Sequence, residues 1–278
     1  MLLLLSLTAE AAPPPQYAYT RPESADPGQL EAYTFTHWPA RTTLFAATET
    51  EVFDAPGGKR TGMLAFGEGV RVEEPGAVGM ADDRVDQWIR VSGEHPGWVF
   101  GGQLTPYRWD VDMDGDGERE LVTAAWVSGF TVRVRVLEPN MRAGATMQLD
   151  VDAAGGGYIS QLGAIATLDL IPASKAGIAL IHVHMGVEAC ADFRDDWISY
   201  SSSGPSRIGS ERVALSLSGL IDPPNDSEFT VEFSGKRKTA YVTHSQAEAE
   251  GQPPSITNQR YVLRDGVFLL EQNGAVSR

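Results

Sequence analysis

One cysteine, Cys190, occurs in the whole chain. No intramolecular disulfide can form, and no zinc site can be built from thiolates. Basic residues are also scarce, 22 against 37 acidic ones, and the formal charge is −15. A field of that sign repels phosphate backbones and anionic headgroups, which argues against nucleic acid and against polybasic membrane attachment. No run approaches the ~18 apolar residues of a spanning helix. Capped segments with a 3.6-residue period are missing, so no long helix is expected. Equally absent are a G-x-S-x-G elbow, a phosphate-binding glycine loop, and repeats of the kind that build propeller blades. Cys190 lies in EACADFRDD, where acidic neighbours disfavour the thiolate. No catalytic residue is assigned, and the chain reads as a non-enzyme.

Glycine and proline, by contrast, are plentiful at 29 and 17, and the apolar fraction of 42% is enough for sizeable cores. Many short segments broken by turns point to an all-β chain. The N-terminus, MLLLLSLTAEAAPPPQ, has a short apolar run at residues 2–7 and small residues at Ala9 and Ala11. Residues 1–11 are read as part of a signal peptide cut after Ala11, its start lying upstream of Met1. With no cysteine beside that cut, lipid anchoring there is excluded. The expected location is therefore the periplasm, cell envelope or extracellular space. Residues 12–46, beginning APPPQYAYTRPESADPGQ, read as a proline-rich leader without a core of its own.

From residue 47 the pattern sharpens. Short strands are expected at 49–54, 62–65, 70–72, 86–91 and 98–100, separated by APGG, FGEG and GEHPG turns. The residues EVFDAPGG, GMLAFGEGVRV and QWIRVSGEHPGWVFGGQL, in that order, resemble the bacterial SH3-like (SH3b) domain. The resemblance covers residues 47–107 and implies a small twisted barrel that binds a cell-wall peptide or a protein partner. Trp88, Trp98 and Phe100 are the aromatics of that unit, and residues 73–86 are read as an exposed acidic loop. Asp82, Asp83 and Trp98 are the candidate ligand-binding residues, suited to a cationic group such as the free amine of a stem peptide.

Next comes DVDMDGDGERELV, from Asp110. Asp112, Asp114 and Asp116 alternate, so a curling loop can turn their oxygens inward, and Gly115 and Gly117 permit the curl. Glu118 would offer its carbonyl and Glu120 a carboxylate. Hard oxygen ligands in that number suit Ca2+. An EF-hand would need a glutamate at position twelve of the loop, where Thr123 stands. The stretch is similar instead to the shorter D-x-D-G-D-G-x-x-E loop of FG-GAP and VCBS modules, which runs directly into a strand. That similarity implies the ion site and not a propeller, because only one copy is present. A calcium ion here would pin the region between two domains.

Residues 108–278 read as a larger antiparallel, sandwich-like β domain opening with that loop. Strands are expected at 131–137, 147–151, 165–171, 178–184, 197–200, 213–217, 229–233, 239–243, 261–263 and 267–270, the last two joined by an Asp265-Gly266 hairpin. Within IALIHVHMGVEA, His182 and His184 share one strand face, and Glu188 follows. This spacing is similar to the first cupin motif, which would imply a metal-dependent enzyme. Gly177 is one residue too close, however, Asp195 stands where that motif has glycine, and the second motif is absent, His244 lying far downstream. The leading expectation is an exported binding or scaffold protein with an SH3-like barrel and a calcium loop. The alternatives are the His182/His184/Glu188 enzyme and a structural surface or assembly component.

Overall fold

Val70, Val72, Ile89, Val91 and Val99 recur at every second position, and this alternation decides which side of each strand faces inward. The computed structural model describes residues 16–20, 38–81, 84–128, 131–139, 147–152, 164–186, 192–202, 209–220, 227–247 and 253–276. It is all-β, as the sequence predicts. Among the described residues the one α-helical element is the single turn α1 (Ala173–Ala176).

The first group of strands is β2 (Thr43–Ala46), β3 (Thr50–Phe53), β4 (Arg60–Leu64), β5 (Gly69–Ala81), β6 (Arg84–Ser92), β7 (Gly97–Phe100) and β8 (Leu104–Thr105). β2 pairs with β5 and β8, β6 with β5 and β7, and β3 with β4 and β7, giving a curled half-barrel. Leu44, Val52, Leu64, Val99 and Leu104 join the alternating valines in its core. Trp88 and Phe100 are buried as well but belong to the opposite strand face, where Trp88 meets Phe53 and Phe100 edge-on at 5.4 and 5.6 Å. The expected acidic loop at 73–86 is instead a long hairpin. β5 runs to Ala81 and β6 starts at Arg84, with Val78, Gly79 and Met80 opposite Gln87, Asp86 and Val85. Two register shifts absorb Pro75, which lacks an N–H for the ladder. Gly76 and Gly79 let this hairpin lie against indole rings: an added Cβ would come within 2.3 Å of Trp98 Cζ3 or 2.5 Å of Trp88 Nε1.

The leader also contains structure. β1 (Gln16–Thr20) pairs antiparallel with the tip of β6 through Tyr19 and Thr20, and with β13 (Ala164–Ile171) through Gln16, Tyr17 and Ala18. It thereby fuses the half-barrel and the next sheet into one twelve-stranded sheet. β1 lies within the segment read from sequence as a proline-rich leader, residues 12–46.

Three antiparallel four-stranded layers follow. One holds β9 (Arg108–Val111), β10 (Glu120–Ser128), β11 (Thr131–Leu137) and β12 (Met147–Asp152). The middle one holds β13, β14 (Leu180–Gly186), β15 (Asp192–Ser202) and β16 (Gly209–Leu220). The last holds β17 (Ser227–Ser234), β18 (Thr239–Gln246), β19 (Ser255–Arg264) and β20 (Val267–Val276). Ile181, Val183, Ile198 and Tyr200 pack with Val122, Val132, Val134 and Val136 of the first layer. Leu180, Trp197 and Leu215 pack with Ala240 and Phe268 of the last. The middle sheet thus packs apolar side chains against both neighbouring layers, and on β14 His182 and His184 interrupt the apolar run. Asp265 and Gly266, at φ of 50° and 78°, form the expected tight turn, with Arg264 opposite Val267.

Truncating a residue between two layers leaves a cavity that neighbours pinned by both sheets cannot close. Ile181→Ala is expected to cost about 2–5 kcal/mol in urea unfolding. Leu269→Ala, at a side chain half exposed on the last layer, should change stability by less than about 0.5 kcal/mol.

Candidate metal centre

Glu120 pairs with Val111 and Leu121 with Asp110, so the paired ends of β9 and β10 force residues 112–119 into a tight connection. Gly115 and Gly117 take φ of 81° and 92°, which side chains resist, and nothing would crowd a Cβ at either. The need for glycine here is therefore one of backbone and not of space. Asp112 accepts the N–H groups of Gly115 (2.7 Å) and Gly117 (3.2 Å), Asp114 that of Asp116 (3.1 Å), and Asp116 that of Glu118 (2.7 Å). These bonds turn the side chains inward. One oxygen each from Asp112, Asp114 and Asp116 lies within 4.8 Å of the others. Each carboxylate has acceptor sites beyond those the loop uses.

Glu120 lies behind them, fully buried. Its Oε2 accepts the Met113 N–H at 2.6 Å, and its Oε1 has no partner. Burial pushes its carboxyl up to about 7; the Met113 N–H opposes this, while the charges of Asp114, Glu138 and Asp112 add to it. An orphaned buried carboxylate oxygen is expensive, and a cation is the partner its chemistry calls for. The donors are all oxygen, the preference of calcium. Glu118 gives its N–H to Asp116, and its carboxylate is not one of the three that converge.

The loop opens onto the seam between the half-barrel and the first layer. Leu121 fills the space over Gly67, where an added Cβ would sit 2.6 Å from Leu121 Cδ2. Arg135 donates to the Ala47 carbonyl at 3.2 Å, Thr105 Oγ1 to the Ala124 carbonyl at 2.5 Å, and the Arg108 guanidinium stands over the Phe45 ring. Every one of these contacts lies on or beside β9, β10 or β11, the strands that frame the loop.

A second cluster lies on the middle sheet. His182 and His184 share one face of β14, and Asp195 is opposite His184 on β15. Asp195 Oδ1 is 2.5 Å from His182 Nε2, and both its oxygens are 3.1 Å from His184 Nδ1. The His182 ring lies flat on Trp197, 4.7 Å between centroids at 6°. Burial alone would raise the Asp195 carboxyl, but the hydrogen bonds and charges of the two imidazoles outweigh it and hold it below its usual value. The hydrogen bond to Asp195 raises His184, with burial opposing. Asp195, which in sequence counted only as a departure from the cupin pattern, is the residue that gathers both histidines.

Of the remaining sequence candidates, Asp82, Asp83, Glu188 and Cys190 lie outside the described residues. Trp98 is half-buried, its ring against Gly76. Sequence reasoning missed Glu138 and Tyr200, whose hydroxyl donates to Glu138 Oε1 in the buried layer beyond Glu120. No local pattern marks that pair, because β11 and β15 meet only when two layers stack. Comparison with protein-family descriptions, with curated proteins and with solved structures returns no match for this chain.

The two shifts on the histidine cluster set a pH window. His184 stabilises the fold fully below its unfolded value of 6.5, a contribution lost as pH rises through its higher folded value. Asp195 contributes fully above 3.8, a contribution lost as pH falls through its lower folded value. Urea midpoints of EDTA-treated protein and its His184→Ala variant should therefore differ most between pH 3.8 and 6.5, and the gap should narrow as pH rises through the raised His184 value.

Proposed function

We propose that the chain is an exported, non-catalytic binding or scaffold protein whose SH3-like barrel, residues 47–107, recognises a cell-wall peptide or a protein partner. A calcium ion held by Asp112, Asp114, Asp116 and Glu120, with the Glu118 carbonyl, stabilises the seam on which that barrel rests. The observation that carries the calcium reading is the buried, unpartnered Oε1 of Glu120 beside three converging aspartates. Three further carboxylates would repel one another and Glu120 at this range without a cation. The ion would supply charge neutralisation and fixed geometry, not chemistry on a substrate. Extracellular calcium modules bind at roughly 0.1–1 mM, a range met outside the cell.

Support for the binding role comes from the outer face of the half-barrel. Glu73 and Glu74 pair with Arg90 on that hairpin, both at 3.1 Å and both exposed. Trp98 sits beside it, half-buried and outside the barrel core, and can offer a ring to a cationic ligand.

Calorimetry should detect one calcium per EDTA-treated chain, lost in the Asp112→Ala/Asp114→Ala double variant. At 10 mM calcium the wild type should gain about 1.4–2.7 kcal/mol, given a dissociation constant of roughly 0.1–1 mM. No binding at millimolar calcium would reduce the loop to an acidic turn.

Purified sacculi at low salt should retain the protein, and Trp98→Ala should weaken retention several-fold. Wild type that stays in the supernatant would remove the cell wall as the partner.

A further inference from the structure

We propose that one end of the last layer, where Lys236, Arg237, Lys238 and Arg264 gather beside Lys175 and Arg212, docks an acidic segment of a partner protein. β17 to β20 form a meander, so the turn at 235–238 and the Asp265-Gly266 turn fall at the same end of the sheet. Three of the four lysines in the chain are brought there, and all six basic residues are exposed. Arg212 reaches in from β16, donating to the Asp265 carbonyl at 3.2 Å. Lys175 arrives on α1, which packs against the 235–238 turn: a Cβ on Gly235 would come within 2.4 Å of the Ser174 carbonyl oxygen. Lys238 takes a φ of 52°, and its carbonyl accepts the Leu263 N–H at 2.8 Å. The cations therefore stand on a packed backbone and not on a free loop.

Charge complementarity names the partner. The chain has 37 carboxylates, yet among the described residues none of these six cations is ion-paired with one. Asp265 and Glu232 are the exposed acids nearby, one in the second turn and one opposite Tyr241. Like charges gathered on a fixed scaffold repel one another, and an outside anion relieves that repulsion. Tyr241 extends the surface along the sheet. It pairs across the strands with Arg260, and hydrogen bonds from Arg237, then Thr239 and Arg260, hold its phenol below the usual value. Two guanidinium groups thus reach toward one point, the arrangement that grips a carboxylate. Leu269, opposite Val262, shares this outer face, since Ala240, Leu263 and Phe268 point inward. Tyr241 and Leu269 are two of the four large apolar side chains exposed among the described residues. Cations beside an aromatic and an aliphatic side chain suit an acidic peptide better than a bare polyanion. A long polyanion would also lie against the field of a chain with a net charge of −15. A short acidic segment feels chiefly the cations within about 10 Å of it.

The test titrates the full chain into a fluorescein-labelled peptide of alternating glutamate and tyrosine, read by fluorescence anisotropy at low salt. Saturable binding is expected. It should weaken roughly threefold or more in Lys236→Ala/Arg237→Ala and on raising salt to about 0.5 M. A glutamate–serine peptide of the same length and charge should bind less well, and Leu269→Ala should lower affinity for the tyrosine peptide. Trp98→Ala and Asp112→Ala/Asp114→Ala should keep wild-type affinity, which separates this surface from the barrel and from the calcium loop. Both residues of the Lys236→Ala/Arg237→Ala variant are exposed in a turn, and circular dichroism checks that its fold is retained. Absence of saturable binding at low salt, or equal affinity in Lys236→Ala/Arg237→Ala, would overturn the proposal. So would tighter binding of inorganic polyphosphate than of the peptide, which would make the cluster a phosphate surface instead.

Discussion

A sheet that is apolar on both faces has to be covered twice, and the arrangement of the C-terminal two-thirds of the chain follows from that requirement. Leu180 and Ile181 are adjacent in sequence, point to opposite sides of β14, and are both fully buried. Leaving either face in water would forfeit roughly 1.5–3 kcal/mol for each large side chain. The strands before β13 cover one face and those after β16 cover the other. Each flanking layer is a meander of neighbouring hairpins, the connection that needs the least chain.

Double coverage leaves little room for polar groups, and the chain deals with them locally. Ser199 on β15 donates to the Gly266 carbonyl in the hairpin turn at 2.7 Å, tying the last layer to the middle one. Asp196, fully buried on the other face, is held by Arg194 two residues away on its own strand. Asp195 draws in two histidines from the adjacent strand. Glu120 keeps a buried oxygen without a hydrogen-bond partner, and it is the residue at which a loop of aspartates runs into the core.

The strand content, the half-barrel segments and the 265–266 turn were legible because each depends on local alternation or on a backbone angle that few residues adopt. The convergence of Asp112, Asp114 and Asp116 was legible for the same reason: three residues at alternate positions with two glycines leave little freedom. What was hidden depended on packing between distant segments. Residues 73–86 looked like a loop because Glu73, Glu74, Pro75 and Gly76 all disfavour strands, yet two bulges and a pair of indole rings carry the ladder past them. The burial of Glu120, with Glu138 close enough to raise its carboxyl, is a product of packing that no local pattern marks. Asp195 looked like a defect in a borrowed pattern until its strand was placed beside β14.

The position of β1 bears on how the chain folds in time. Gln16 and Ala166 are paired partners about 150 positions apart, a separation that raises contact order and slows the closing step. During synthesis from the N-terminus, β1 emerges first but must wait for β13 before its second edge is satisfied. Until then, the edges of β6 and β13 that β1 bridges are both without that partner. The loss of entropy on closing so long a loop rises only logarithmically with its length, so the finished link is slow to form without being weak. A segment that reads as a tether thus clasps two sheet edges from distant parts of the chain.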